Sequence, residues 1–453
     1  MDWPIEDTPW TYHDLKIFGF EERFTVALRK LQSDEALIRK VLLDKNDWEN
    51  WFHDVWRLSV EPHSGANQEM QIPSATSKKA GLHIVLCSRA SPIFEGHVPI
   101  SYISMPRDTW GRLTGSFHVH RCITRTITRE VSCFASSYEN EDDWTKSKIS
   151  FTARMSSSLP GDLALSLTYI PSTDSTFAVM FGCDNSHLRE IENRVRAATE
   201  SINYPLLMIG IFAELERGRL VAMADQLFDG FALTSEHLEG KSWDPTRDMN
   251  DKKAQENLSL CLRSRTIADN IRAVKRQVLK LMTEIDEFGD FVSRQDDERA
   301  RRFKKAGSQM KKRLRDIMNE YDGKIDECDM MVGNTTLAMQ TVWNQFARYD
   351  SGINTQIARA NTNIALETKR DGVQMRSIAL LTMVYLPFSS VASIFSMNMF
   401  DWSAQDGGSV VSKYIWVFAV FAVGLSAITL FAWYYITYRH KKTPKKDTSE
   451  ISV

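Results

Sequence analysis

The chain has 453 residues, 43% of them hydrophobic and 25% charged, with a formal net charge of −2. That length accommodates two or three structural units, and so balanced a charge gives no expectation of nucleic acid or of a strongly acidic or basic surface as partner. Six cysteines (Cys87, Cys122, Cys133, Cys183, Cys261 and Cys328) are scattered without a CxxC spacing, which fits reduced thiols better than disulfides or a zinc site.

The N-terminus, Met1-Asp2-Trp3-Pro4-Ile5-Glu6-Asp7, lacks the basic-then-apolar pattern of a secretory signal, and acids precede the first base, Lys16. Residues 61–79 are polar and read as a loop. Gly81 to Cys87 is an apolar run of strand length. His118 and His120 share one face of an expected strand; with no third ligand at a metal-binding spacing, they read as a structural pair. The stretches 163–170 and 177–181 flank Pro171-Ser172-Thr173-Asp174 and predict a hairpin, while Leu188, Ile191, Val195 and Ala198 mark a helix. The apolar run 205–213 is too short to span a membrane. Residues 1–245 thus read as an α+β cytosolic domain. No GxSxG, P-loop, HExxH or dinucleotide fingerprint occurs, so no enzyme activity, catalytic residue or cofactor is expected.

A helical stalk is expected over 246–374. Ile271, Val274, Val278, Leu281, Ile285, Phe288 and Val292 keep a strict heptad spacing, and this helix should fold back antiparallel on the stalk. Acids from Glu284 to Glu298 and bases from Arg299 to Arg315 then read as solvated helix faces. Ile325, Val332, Met339, Phe346, Ile353 and Ala360 recur at sevens. The second seam position, Cys328, Thr335, Val342, Tyr349, Gln356 and Asn363, turns polar along the chain. Such a helix packs against copies of itself or a partner, although Gly333, Gly352 and Gly372 work against its continuity.

Residues 375–438 are expected to form a two-helix transmembrane domain. The runs 378–400 and 414–438 carry no charge, and each exceeds the ~20 residues that an α-helix needs to cross a bilayer. Tyr414 and Trp416 at one end of the second run, and Trp433, Tyr434, Tyr435 and Tyr438 at the other, form an aromatic belt. Lys369, Arg370 and Arg376 precede the first span, and Arg439, Lys441, Lys442, Lys445 and Lys446 lie in the basic tail, 439–453. The positive-inside rule therefore places both termini in the cytosol, with the plasma membrane as the default address. Pro387 and a set of hydroxyl residues in the first span point to a face turned toward protein or water.

The stretch MVYLPFSSVASIFSMNMF resembles the first transmembrane helix of the CorA-like divalent-cation transporter family, in which a mid-helix proline precedes a terminal Gly-Met-Asn. Pro387 and Asn398 have the family's spacing, and the upstream TKRDGVQMRSIALLTM resembles a divergent fungal branch. The resemblance covers 368–402. It implies a homopentamer whose first transmembrane helices line a pore, with Mg²⁺ as the foremost cargo and the metal otherwise open. By position, Ser396, Met397 and Asn398 would form the selectivity filter. Met375, Ile378, Thr382, Leu386 and Ser389 would line the pore, and Asp401 and Asp406 in the outer loop would attract cations. Ser396 replaces the family glycine and Phe395 its usual tyrosine, and the outer loop lacks the family's Glu-bearing motif. A second expectation therefore stands beside the channel: a membrane-anchored oligomeric scaffold or sensor that does not conduct.

Overall fold

The computed structural model describes residue 10 and residues 12–31, 36–57, 80–90, 100–139, 144, 146–239, 251–396 and 415–441. The chain divides into two units, Met1–Val342 and Trp343–Val453. In chain order the first unit contains α1 (Tyr12–Lys16), β1 (Gly19–Phe20), β2 (Thr25–Leu31), β3 (Ile38–Leu42), α2 (Lys45–Arg57), β4 (Gly81–Ser88) and β5 (Tyr102–Ile103). There follow α3 (Arg107–Ser116), α4 (Cys122–Ile127), β6 (Cys133–Glu139), β7 (Lys148–Arg154), β8 (Ala164–Ile170), β9 (Ser175–Cys183), α5 (Asn185–Ala197), α6 (Leu207–Glu239) and α7 (Asp251–Ser293). The long helix α8 (Asp297–Phe395) begins in this unit and ends in the second, which also holds α9 (Ile415–Lys441).

Seven strands form one sheet in the order β3-β2-β4-β9-β8-β7-β6, antiparallel except for the β4–β9 pair. Strands β4 and β8 are buried along their whole length, because helices cover both faces of the sheet. Alternation along β4 assigns the two cores. Leu82, Ile84 and Leu86 point to a core shared with α5, α6, α7 and the start of α8. Val85 and Cys87 point to an aromatic-rich core with Trp48, Trp51 and Phe52 of α2 and Trp110 of α3. The expected strand at 81–87 is β4, and the expected hairpin is β8–β9. Asp174 closes its turn in the left-handed region, φ 49°, and accepts a hydrogen bond from the Tyr169 hydroxyl at 2.8 Å.

His118 and His120 do not sit on a strand. They lie between α3 and α4, and His118 has φ 48°. The alternation Phe117-His118-Val119-His120 does place Phe117 and Val119 in the aromatic core, but a tight turn produces it. The two rings part: His118 meets Phe177 edge-on at 6.2 Å, while His120 Nε2 approaches Glu139 at 3.6 Å.

The antiparallel partner helix is α7. Its expected seam residues, Ile271, Val274, Val278, Leu281, Ile285, Phe288 and Val292, are all buried. Ion pairs Arg272–Asp329 and Lys275–Asp322 fix its register on α8, as does Lys311–Asp286. Polar contacts also dock α7 on the sheet edge. Gln277 Oε1 accepts from the Phe134 amide at 3.1 Å, Lys280 Nζ donates to the Phe134 carbonyl at 2.8 Å, and Glu284 accepts from Ser136 and Tyr138 at 2.7 and 2.6 Å. An edge strand presents unpaired backbone groups, and here a neighbouring helix satisfies them. Lys30, buried on β2, donates to the carbonyls of Val195, Arg196 and Ala198 at 3.1, 2.9 and 2.7 Å. It thereby neutralises the negative end of α5.

Asp162 is fully buried between two guanidinium groups, Arg154 Nη1 at 2.5 Å and Arg89 Nη2 at 2.8 Å. Burial opposes its charge, but Arg154 and Arg89 outweigh burial and hold the carboxyl below its ordinary 3.8. Asp162→Asn is expected to cost about 3–5 kcal/mol, because it leaves buried guanidinium charge uncompensated. A folded-state pKa below the unfolded one means this stabilisation is complete above the unfolded value and is lost as pH falls through the folded one. Denaturation of the full chain, followed by tryptophan fluorescence, should show a wild-type advantage at neutral pH that shrinks below pH ~4.

Candidate functional site

In the second unit, the C-terminal part of α8 and all of α9 are long and apolar enough to cross a membrane. Only 11% and 6% of their apolar windows are buried inside the molecule. A core helix of a soluble protein would be covered, so these two exposed apolar helices are candidate membrane spans. The helix α8 runs unbroken through Gly333, Gly352 and Gly372, where an added Cβ would meet nothing within 4 Å.

Pro387 lies inside α8 and is buried. Having no N–H, it leaves the carbonyl four residues earlier, that of Met383, without its helical donor. Thr429 of α9 offers a weak substitute: its one hydroxyl proton is shared between its own Ser426 carbonyl at 2.9 Å and the Met383 carbonyl at 3.5 Å. Small side chains permit this approach, since Ala422 and Ser426 are buried on the same side of α9 as Thr429. On α8 the face that meets α9 carries Leu380, Met383, Pro387 and Val391. Phe388 and Phe418 add an edge-to-face contact at 6.0 Å.

The residues assigned to the pore by resemblance lie elsewhere on α8. Met375, Ile378, Thr382, Leu386 and Ser389 are all exposed, as are Ser393 and Ser396 further along. At 100° per residue these seven fall on one stripe, centred roughly 150° round the helix from the face that meets α9. Ser393, one of the hydroxyl residues of the first span, joins this stripe through its spacing of four from Ser389. The hydroxyls of Thr382, Ser389 and Ser393 donate inward. Thr382 bonds Ile378 and Ala379 at 3.0 and 2.9 Å, Ser389 bonds Leu386 at 3.0 Å, and Ser393 bonds Ser389 at 2.9 Å. A hydroxyl that spends its proton on the backbone keeps oxygen lone pairs directed away from the helix. Ser396 directly follows the last helical residue, Phe395, its amide bonded to the Ala392 carbonyl at 2.7 Å. Met397, Asn398, Asp401 and Asp406 lie outside the described residues.

Nearer the start of the second unit, Trp343, Phe346, Tyr349, Ile353, Ile357 and Ile364 are exposed along α8. In the first unit the seam of the same helix is filled, with Cys328 and Thr335 buried. Among the described residues, no group of three or more His, Cys, Asp or Glu side chains could hold a metal ion.

No family model and no curated protein matches the chain. Among solved structures it is similar to the full-length CmaX protein, at 10% identity and a TM-score of 0.39, over 92% of this chain and 99% of that one. It is also similar to the ZntB cytoplasmic domain from Vibrio parahaemolyticus, at 12% identity and a TM-score of 0.30, over 58% of this chain and 92% of that one. At these values neither likeness assigns an activity.

The pairing of Pro387 with Thr429 can be read as a coupling energy. Thr429→Val should destabilise the wild-type helix pair by about 0.6–1.7 kcal/mol. It should cost almost nothing in a Pro387→Ala background, where the helical N–H returns to Met383. Unfolding in mixed detergent micelles across the four proteins measures this coupling.

Proposed function

We propose that the chain is a divalent-cation channel, passing ions down their gradient through a pore lined by the C-terminal part of α8 from several copies. The observation that carries this reading is the stripe of Thr382, Ser389, Ser393 and Ser396, which the partner helix α9 leaves uncovered. Polar groups in a membrane helix turn toward protein or water rather than lipid, and a second copy and a water-filled axis provide both. The exposed aromatic and aliphatic residues from Trp343 to Ile364 support assembly, since such a row on a long helix is a coiled-coil seam without its partner. The resemblance of 368–402 to the CorA-like family supports a homopentamer and Mg²⁺ as the ion.

In this reading Ser396, Met397 and Asn398 form the filter, and neutral oxygens receive the ion with much of its water retained, as suits Mg²⁺. Met375, Ile378 and Leu386 make an apolar constriction able to gate by dewetting. Asp401 and Asp406 draw cations to the outer mouth. Both termini lie in the cytosol, in keeping with the basic flanks of the two spans.

The test is uptake of Mg²⁺, Zn²⁺, Co²⁺ and Ni²⁺ by liposomes carrying the purified protein. Wild-type uptake is expected for at least one ion, and Asn398→Ala should abolish it without changing oligomer size. No uptake from a correctly assembled oligomer would put the non-conducting scaffold in its place. A second measurement separates stripe from lipid face. Cysteines placed at 382, 386 and 389 should react with a charged thiol reagent from water, whereas those at 381 and 384 should not; equal reactivity of the two sets would overturn the pore lining.

A further inference from the structure

The first unit holds a cleft of about 400 Å³ between α5, the start of α6 and the first turns of α8. That volume falls within the ~300–1,000 Å³ of small-molecule sites. Small residues open it: Ala197 and Ala198 at the end of α5, Gly210 on α6 and Ala306 on α8. Its floor is apolar, made by Leu207, Ile211, Leu314 and Ile317.

One end of the cleft is built from charge. Glu214 sits almost buried on α6 and accepts from Arg217 Nε at 2.9 Å and Arg313 Nη2 at 3.1 Å, with Arg194 Nη2 at 4.0 Å. Burial works against its charge, but the bonds from Arg313 and Arg217 hold its carboxyl below the usual range. The carboxylate is therefore ionised, enclosed and saturated, while the guanidinium groups around it are not. The Arg313 side chain is 49% exposed and that of Arg194 35%, and each retains N–H donors beyond those bonded to carboxylates. Glu190 also pairs with Arg194 at 2.7 Å and Glu320 with Arg217 at 3.0 Å, so what this end offers to the cleft is the spare N–H donors of Arg194 and Arg313.

An independent observation comes from Tyr204, which also lines the cleft. Only 4% of the residue is exposed, yet its hydroxyl makes no hydrogen bond to any described residue. The oxygen lies 3.1 Å from where a Cβ on Gly307 would stand, so glycine leaves it room. A hydroxyl without a partner in the chain keeps a donor and an acceptor for water or a ligand.

We propose that this cleft binds a small amphipathic organic anion, its acid group on Arg194 and Arg313, its apolar body along the floor and a polar atom at the Tyr204 hydroxyl. The class follows from complementarity. Guanidinium pairs take planar carboxylates or phosphates, and an apolar body displaces water from Leu207, Ile211, Leu314 and Ile317. The assignment does not depend on ion conduction.

The experiment is ligand-observed NMR titration of the full chain in lipid nanodiscs with 4-phenylbutanoate, phenyl phosphate and octanoate, using 4-phenylbutanol as the uncharged control. Saturable binding of at least one anion is expected, with the alcohol weaker by about tenfold or more. The double variant Arg194→Gln/Arg313→Gln should weaken the anion by a similar factor, and Tyr204→Phe by about fivefold, with helical circular dichroism unchanged. Should Tyr204→Phe fold poorly, the exposed arginine pair alone still decides the matter. Affinity unaltered by the arginine substitutions would overturn the proposal, and so would the absence of saturable binding for all three anions.

Discussion

A bilayer offers a backbone carbonyl nothing to bond to, and Pro387 frees one at Met383 in the middle of the first span. The second unit is arranged around that constraint. Thr429 must come within reach, so α9 has to approach α8 on the Pro387 face, and Ala422 and Ser426 are the side chains that let it do so. Once that face is taken, the hydroxyl stripe that ends at Ser396 is left to look elsewhere. Packing of the Pro387 face on α9 leaves Thr382, Ser389 and Ser393 exposed on another side of α8.

The first unit meets the same difficulty, polar groups away from water, with charge instead of hydroxyls. Asp162 satisfies two guanidiniums, Lys30 collects three carbonyls from the end of α5, and Glu284 joins α7 to the edge strand β6. In each case a buried charge ties elements distant in sequence, and each would be costly if left alone. Apolar burial supplies the bulk of the stability, whereas these charges determine which helix lies on which strand. Glu214 belongs to this set but differs in one respect. Its arginine partners reach the surface, and in the proposed site it anchors them.

Much of this was legible in the sequence because it is written as period and length. The seam of α7 repeats every seven residues from Ile271 to Val292, and the spans announce themselves by missing charges. The hairpin β8–β9 is marked by its turn residues. The rest was not legible, for identifiable reasons. His118 and His120 alternate with apolar residues as a strand would, and only the left-handed backbone at His118 distinguishes a turn. Nothing local marks Asp162, after Pro160-Gly161, as buried; its burial depends on Arg89 and Arg154, which come from other strands or their ends. The cleft joins Arg194, Tyr204 and Arg313 across more than a hundred residues, so no local pattern could reveal it. In the first span the hydroxyl residues were visible, but not which of them share a face. That depends on where α9 packs, and its apolar sequence shows no preferred side.

The orientation of the hydroxyl protons bears on which sign of ion such a stripe can serve. Thr382, Ser389 and Ser393 each give their proton to a backbone carbonyl, so they have acceptors to offer and no donor. Water around an anion points its oxygen outward, and a wall of acceptors would not complete its shell. Water around a cation points its hydrogens outward, and those hydrogens are what hydroxyl oxygens accept. In the proposed pore the stripe also carries no formal charge from Met375 to Ser396, so contact with the ion stays weak enough for release. Interleaved Met375, Ile378 and Leu386 keep the remaining wall unable to replace lost water. A wall of this kind favours a cation that keeps its hydration, and among divalent ions the one that surrenders water least readily loses least by entering.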